Sequence, residues 1–270
     1  MAAPAFVAAV HAAGVCEVAW LRTDGSLDVA AATPLVLDDR PALALPYAYA
    51  ELGRDVGTAD QVAVVLSDSR LSGSSWRPIA MLGRPELTED RDGGVFTEHL
   101  LDQELRKFPP ARVLADSPIL RREHWWYLPR LIVTVEPEAV VDVAERAGGA
   151  ADGVLAVAVS GVAAQTRLAV ASVEVERRDD RAVQVRRREM AADAAGSALA
   201  TGTSRAVVVC HDFSPDMERW TSWTAHGVLG GDLSLAVDHE AGDVELPRPL
   251  SLMARMRRQR DLARACRRGI

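Results

Sequence analysis

Apolar and polar residues alternate in short runs along most of this chain, the period of two that marks β-strands and not the 3.6 of helices. Residues 17–21 and 27–37 read as strands joined by Thr23-Asp24-Gly25, a short hairpin signal. Asp38-Asp39-Arg40 then turns the chain into a strand over 42–46, and a short helical piece follows over 48–58. Further strands are predicted over 61–67 and 77–87, about a Ser- and Gly-rich loop at 68–75. The same plan returns later, with strands at 154–160, 167–176 and 182–187, a helical piece at 190–200, and strands at 206–211 and 221–228. Between the two series, Phe96, Leu100, Leu101, Leu105 and Phe108 fall at helical spacing, and Pro109-Pro110 ends that helix. A second helix is expected over 111–123, and a strand over 125–135 that closes the first unit. A last helix is expected over 250–268, with Leu250, Leu252, Met253, Met256 and Leu262 as its inward face. Many short strands with turn signals at regular spacing predict closed or nearly closed barrels.

The two series stand in register. Ala63-Val64-Val65-Leu66-Ser67-Asp68 parallels Val207-Val208-Val209-Cys210-His211-Asp212, Trp76 parallels Trp220 and Gly83 parallels Gly227, each pair 144 positions apart. Asp38-Asp39-Arg40 returns as Asp179-Asp180-Arg181 with a small gap. A valine run, an aspartate, a tryptophan and a glycine in one unbroken register predict a duplication. The expected units are 1–147, with a helical insert at about 94–123, and 153–270 with the C-terminal helix; Gly148-Gly149-Ala150-Ala151-Asp152-Gly153 is the linker. The fold class is mainly β (α+β).

Composition narrows the function classes. Half the residues are hydrophobic and a quarter are charged, the balance of a globular chain. The apolar runs break well short of the roughly 20 residues that a membrane span needs. Residues 1–15 lack the basic start of a secretory signal, so a cytoplasmic protein is expected, with no membrane partner. Cys16, Cys210 and Cys266 are scattered without a CxxC pair, which points to reduced thiols and no zinc or other metal centre. A net charge of −7 disfavours a nucleic-acid partner. Lys107 is the only lysine, so the abundant arginine reflects codon bias as much as anion binding.

Strand, turn, strand, Asp-Asp turn, strand, short helix, apolar strand, loop and a strand ending in glycine form an order that resembles the flavin-binding split barrel of the pyridoxamine-5'-phosphate-oxidase-like families. Within residues 14–138 the resemblance is carried by Thr33-Pro34-Leu35-Val36, Arg54-Asp55-Val56, Gln61 to Val65, Arg77 to Gly83, and Tyr127-Leu128-Pro129-Arg130-Leu131. It implies an FMN-dependent oxidoreductase acting on a small organic molecule, a haem-binding or haem-degrading protein on the same barrel, or a binding or regulatory module without cofactor. Deazaflavin-dependent enzymes belong to the same group. By resemblance, Arg54 would hold a flavin phosphate, and Trp126, Tyr127 and Arg130 would shape the site. Arg77 is a further cofactor-binding candidate, whose guanidinium would meet a ligand phosphate or carboxylate. The chain departs from the family pattern at Pro46 to Glu51, which brings a carboxylate where the family offers hydroxyls. The position 144 after Arg54 is Ala198, so the second unit carries no phosphate site of its own. Such barrels pair, which implies a pseudo-dimer within one chain or a homodimer.

Read as residues alone, the same candidates have plainer roles. Arg54 fits equally a phosphate clamp or a solvated helix arginine paired with Glu51 or Asp55, and Arg77 or Arg130 fits a surface salt bridge. His124-Trp125-Trp126-Tyr127 could wall a flat cofactor or cover a barrel end. If haem binds, His124, His211 and His226 are the candidate ligands, with His211 and His226 facing one another across neighbouring strands. Cys210 and His211 are adjacent on one strand and point to opposite faces, so they do not form a nucleophile–base pair. No catalytic residue is assigned.

Overall fold

The structure is a computed structural model, and it describes residues 4–115, 124–146, 148–149, 151–160, 166–179, 181–188 and 203–270. The helical piece expected over 190–200, residues 116–123 of the expected second insert helix and the repeated turn at Asp180 lie outside them.

The first half forms a seven-stranded antiparallel sheet of β1 (Cys16–Leu21), β2 (Leu27–Ala32), β3 (Leu35–Leu37), β4 (Arg40–Pro46), β5 (Gln61–Leu66), β6 (Ile79–Asp90) and β7 (Arg130–Asp142). Its order is β2-β1-β5-β6-β7-β4-β3. The two edge strands are separated in the chain only by Thr33 and Pro34, which span at most roughly 11 Å at ~3.8 Å per Cα step. The sheet must therefore curl until its edges meet. The second half comprises β8 (Asp152–Ser160), β9 (Thr166–Asp179), β10 (Ala182–Arg187), β11 (Ser204–Phe213), β12 (Trp220–Leu229) and β13 (Ser234–Gly242), and closes into a barrel in the order β10-β13-β12-β11-β8-β9. If β9 is set against β2 and β3 together, the strand order is the same in both halves. The protein is mainly β, with two split-barrel sheets and a C-terminal helix.

Two glycines show why the register recurs. Gly83 and Gly227 each sit at a register shift, in β6 and β12. A Cβ on either would lie 2.0 Å from a carbonyl of the next strand, that of Glu136 or of Ala236. Only glycine admits that approach at a bulge. The Asp-Asp turn has a similar cause: Asp38 and Asp39 both take positive φ, at 50° and 57°, in the hairpin between β3 and β4.

The valine runs explain how the halves meet. On β5, Val62, Val64 and Leu66 enter the first barrel's core, while Ala63 and Val65 face the second barrel. On β11, Val208 and Cys210 enter the second core, while Val207 and Val209 face back. A strand buried on both faces loses polar alternation and becomes a continuous apolar run. The shared layer also takes Ala19, Leu21 and Val29 from one side and Val154, Ala156 and Leu168 from the other.

Several elements differ from the sequence reading. Helix α1 (Pro4–Ala12) and β13 were not expected. The predicted 48–58 piece is a 3-10 turn, Tyr47–Tyr49, running into α2 (Ala50–Gly57), and β6 begins at Ile79, two residues after Arg77. The insert is a π-helical turn (Phe96–Leu100), α3 (Leu101–Lys107) and α4 (Pro109–Ala115). Pro109 thus opens a helix, a first-turn position that lacks an amide partner anyway. Trp125–Tyr127 is a 3-10 turn before β7.

The last helix, α5 (Leu252–Gly269), comes from the second half and packs on the first barrel. Its expected inward face is corrected: Leu252, Met253 and Met256 are exposed by 73%, 68% and 41%. Of the expected face Leu262 does make contact, joined by Ala263 and the fully buried Cys266. Lys107 ties α1 to the seam between β2 and β3, donating from Nζ to the carbonyls of Val10 (2.5 Å) and Pro34 (2.6 Å). All three cysteines are free and buried. Among the described residues no helix is long and apolar enough to cross a membrane.

Candidate functional site

Of the five residues assigned by resemblance, the fold brings three together. Arg130, the first residue of β7, is fully buried with its guanidinium carbon 3.9 Å from the Phe96 ring and 4.2 Å from the Tyr127 ring. Its Nη2 lies 3.5 Å from Glu104 Oε1, Nη1 donates to the Pro129 carbonyl at 3.2 Å, and Nε has no partner. The Tyr127 hydroxyl donates to Glu104, and burial pushes that phenol well above its ordinary pKa. Trp126 packs edge-on to Tyr127 at 6.1 Å and is itself buried. Glu104, which the sequence did not single out, and Phe96, expected only as an apolar position of the helical insert, complete this cluster, and α5 covers it through Cys266. It is a filled core, closed to solvent.

Arg54 and Arg77 lie elsewhere. Arg54 projects from α2, half-exposed, with Nε and Nη2 on Glu89 Oε1 at 3.2 and 3.1 Å. Arg91 grips the other oxygen of Glu89 at 2.7 Å, and hydrogen bonds from Arg91 and Arg54 hold that carboxyl below its usual range. Arg77 is exposed in the coil before β6.

A second cluster, which the sequence did not predict as a site, lies buried between the barrels. Arg146, on the segment leading from β7 to β8, bonds Glu17 Oε1 (2.6 Å), Asp68 Oδ2 (3.2 Å), Ser67 Oγ (2.9 Å) and the Asp152 carbonyl (3.1 Å). Arg146, Glu17, Asp68 and Ser67 are all fully buried. Ser67 donates to the other oxygen of Glu17 at 3.0 Å. His211 Nε2 lies 2.6 Å from Glu17 Oε1 and also touches Arg146, while its ring stacks on Trp220 at 5.1 Å and its Nδ1 has no partner. Burial alone would raise Glu17, but Arg146, His211 and Ser67 hold it at about 2. Burial, followed by the Arg146 charge, lowers His211. At the rim Arg70 joins the repeat-related aspartates, Asp68 at 2.8 Å and Asp212 at 2.5 Å. The recurrence of those aspartates and a carboxylate inside the apolar strand β1, Glu17, were the available signals; Arg146 carried none.

The histidines do not assemble as expected. His211 pairs in register with Ser222, and His226 with Val207 and His239, so His211 and His226 do not face one another. His226 stands 6.0 Å from His239, ring to ring, and 3.5 Å from Asp28. His124 is half-buried, edge-on to Trp126 at 5.9 Å. Cys210 does turn away from His211 into the second core, where burial pushes its thiol up to about 12.

These residues do not fit a flavin phosphate. Arg54 is engaged by Glu89, Arg77 stands apart, and Arg130 is walled in by its own protein. One surface cleft, of about 300 Å³, is lined by Asp152, Glu174, Glu176, Gln184, Arg186 and Arg188, and another, of about 240 Å³, lies on α5. Neither holds an assigned residue. Among the described residues no group of three His, Cys, Asp or Glu side chains is placed to hold a metal ion.

No known family's sequence profile matches the chain, and no curated protein matches it. Solved structures do. HutZ, a haem storage protein from Vibrio cholerae, is 11% identical, with a TM-score of 0.34 over 48% of this chain and 85% of its own. A putative pyridoxamine 5'-phosphate oxidase from Lactobacillus delbrueckii is 18% identical, with a TM-score of 0.28 over 47% of this chain and 83% of its own. A haem-binding protein from Mycobacterium smegmatis is 11% identical, with a TM-score of 0.31 over 97% of this chain and 98% of its own. With TM-scores this low, the fold rests on the strand order and barrel closure described above.

Proposed function

We propose that this chain is a fused pair of split barrels, 1–147 and 153–270, that acts by binding a ligand or partner without a flavin. The observation that carries this reading is the Arg130 cluster. Trp126, Tyr127 and Arg130, which by resemblance would shape a cofactor site, are packed against Phe96 and Glu104 and roofed by α5. The pairing of the halves as a duplicated unit and intrachain pseudo-dimer is supported by their common strand order and by the glycines at equivalent bulges. The buried Arg146 cluster would then fix the two barrels in one relative position, as a preorganised scaffold requires.

One observation favours a second reading, haem bound through His124. That imidazole is partly accessible, lies against Trp126, and adjoins the exposed Trp125, above which Arg267 sits at 5.8 Å. A haem ligand, a flat aromatic and a cation for a propionate would be gathered there.

Ultraviolet-visible spectra of the purified chain, recorded before and after adding FMN and then haemin followed by desalting, separate the readings. A colourless protein that retains neither compound is expected. Retained flavin bands would overturn the proposal, and a Soret band lost in His124→Ala would establish the second reading.

A further inference from the structure

Among the described residues, five of the eight large apolar side chains left in solvent lie on α5 or beside it, the others being Leu71, Val140 and Val228. Leu252, Met253 and Met256 are on the helix; Trp125 and Tyr49, exposed by 45% and 51%, lie in the two 3-10 turns against which it packs. At 100° per residue, Met253, Met256, Arg257, Arg260, Arg264 and Arg267 share one face, opposite Leu262 and Cys266. Arg267 brings that stripe onto the Trp125 ring. The helix carries seven arginines against Asp261, a net +6 in a chain of net −7, so the remainder is near −13. Arg255 and Arg258 turn to Glu218 on the second barrel and steady the projecting half, and Ser251 caps its start.

We propose that this face of α5 binds the headgroup layer of an anionic membrane, with the helix lying in the plane of the surface. Arginine guanidinia meet lipid phosphates in a bidentate manner, and their stems reach past the methionines into the interfacial zone. Leu252 and Met253 enter the acyl boundary, and Trp125 takes the position that indole rings favour at that depth. A nucleic acid offers phosphates but no hydrocarbon for Leu252 and Met253. A second α5 would set seven arginines against seven. The expectation that a membrane is not a partner is revised accordingly, for attachment and not for spanning.

The test is sedimentation of the full chain with phosphatidylcholine vesicles, with and without phosphatidylglycerol, while Trp fluorescence is followed. Binding only to the anionic vesicles, with a blue shift lost in Trp125→Leu, is expected. Replacing Arg257, Arg260 and Arg264 by Gln should weaken binding by about a hundredfold. Met253→Ser with Met256→Ser should weaken it about tenfold on the same vesicles. No sedimentation, equal sedimentation with neutral vesicles, or binding unchanged by the arginine variant would overturn the proposal. So would salt-sensitive dimerisation, or oligonucleotide binding, that is lost in both variants while vesicles are ignored.

Discussion

Two arginines among the described residues are completely buried, and they are stabilised in opposite ways. Arg146 is surrounded by polar groups: two carboxylates, a hydroxyl, a carbonyl and an imidazole. Arg130 lies between two aromatic rings, with one carboxylate at the limit of contact and one N–H unpaired. The first organises charges from four separate segments and so fixes one barrel against the other. The second is largely a flat, cationic filler within one barrel. A buried guanidinium therefore marks a ligand site only when part of its fork faces free space, and neither of these does.

The comparison breaks most sharply at Arg146. Arg146→Met leaves Glu17 buried without its cation and Asp68 with Arg70 alone, and should cost about 3–5 kcal/mol in urea unfolding. Adding Glu17→Gln should recover part of that loss. Arg130→Met removes two cation–π contacts but also an unpaired N–H, so about 1–2 kcal/mol is expected by the same measurement. Arg130→Lys should not rescue it, because an ammonium cannot stack as a plane.

The smallest effect is a pH dependence confined to the inter-barrel cluster. His211 is lowered in the folded chain, so the unfolded chain binds more protons below its ordinary value near 6.5. Stability from this group is complete above that pH and is lost as pH falls. Glu17, held at about 2, adds a second loss as pH falls from its usual range towards that value. Urea midpoints should therefore decline from pH 7 to 5 and again below 4.5. His211→Phe, which keeps a ring against Trp220, should remove the first decline and reduce the second, since Glu17 loses one of the bonds that hold it down. A first decline left unchanged would mean that His211 does not titrate there.

What the sequence made legible was what local pattern controls. Strand periodicity, the Asp-Asp turn and the paired glycines all follow from contacts between near neighbours or adjacent strands. The inter-barrel cluster could not be read this way, because Arg146 meets partners 129 and 65 positions away, Glu17 and His211. Nothing in the Glu145-Arg146 pair distinguishes it from linker. Glu17 sat inside an apolar strand, and that anomaly was a usable sign of a buried partner. Only Leu262 of the expected α5 face packs inward, because the helix's apolar residues crowd its exposed first turn while Ala263 and Cys266 join Leu262 near its end. The alternation over β13 was visible and was overlooked.

The seam between β2 and β3 has a practical consequence. The amine that bridges it belongs to the chain's sole lysine, and burial lowers its pKa to about 8. Amine-directed reagents thus have one side-chain target, reachable when α1 lifts from the barrel wall. Lys107 is a built-in reporter: its labelling rate would record how often that wall comes ajar, with no foreign probe introduced.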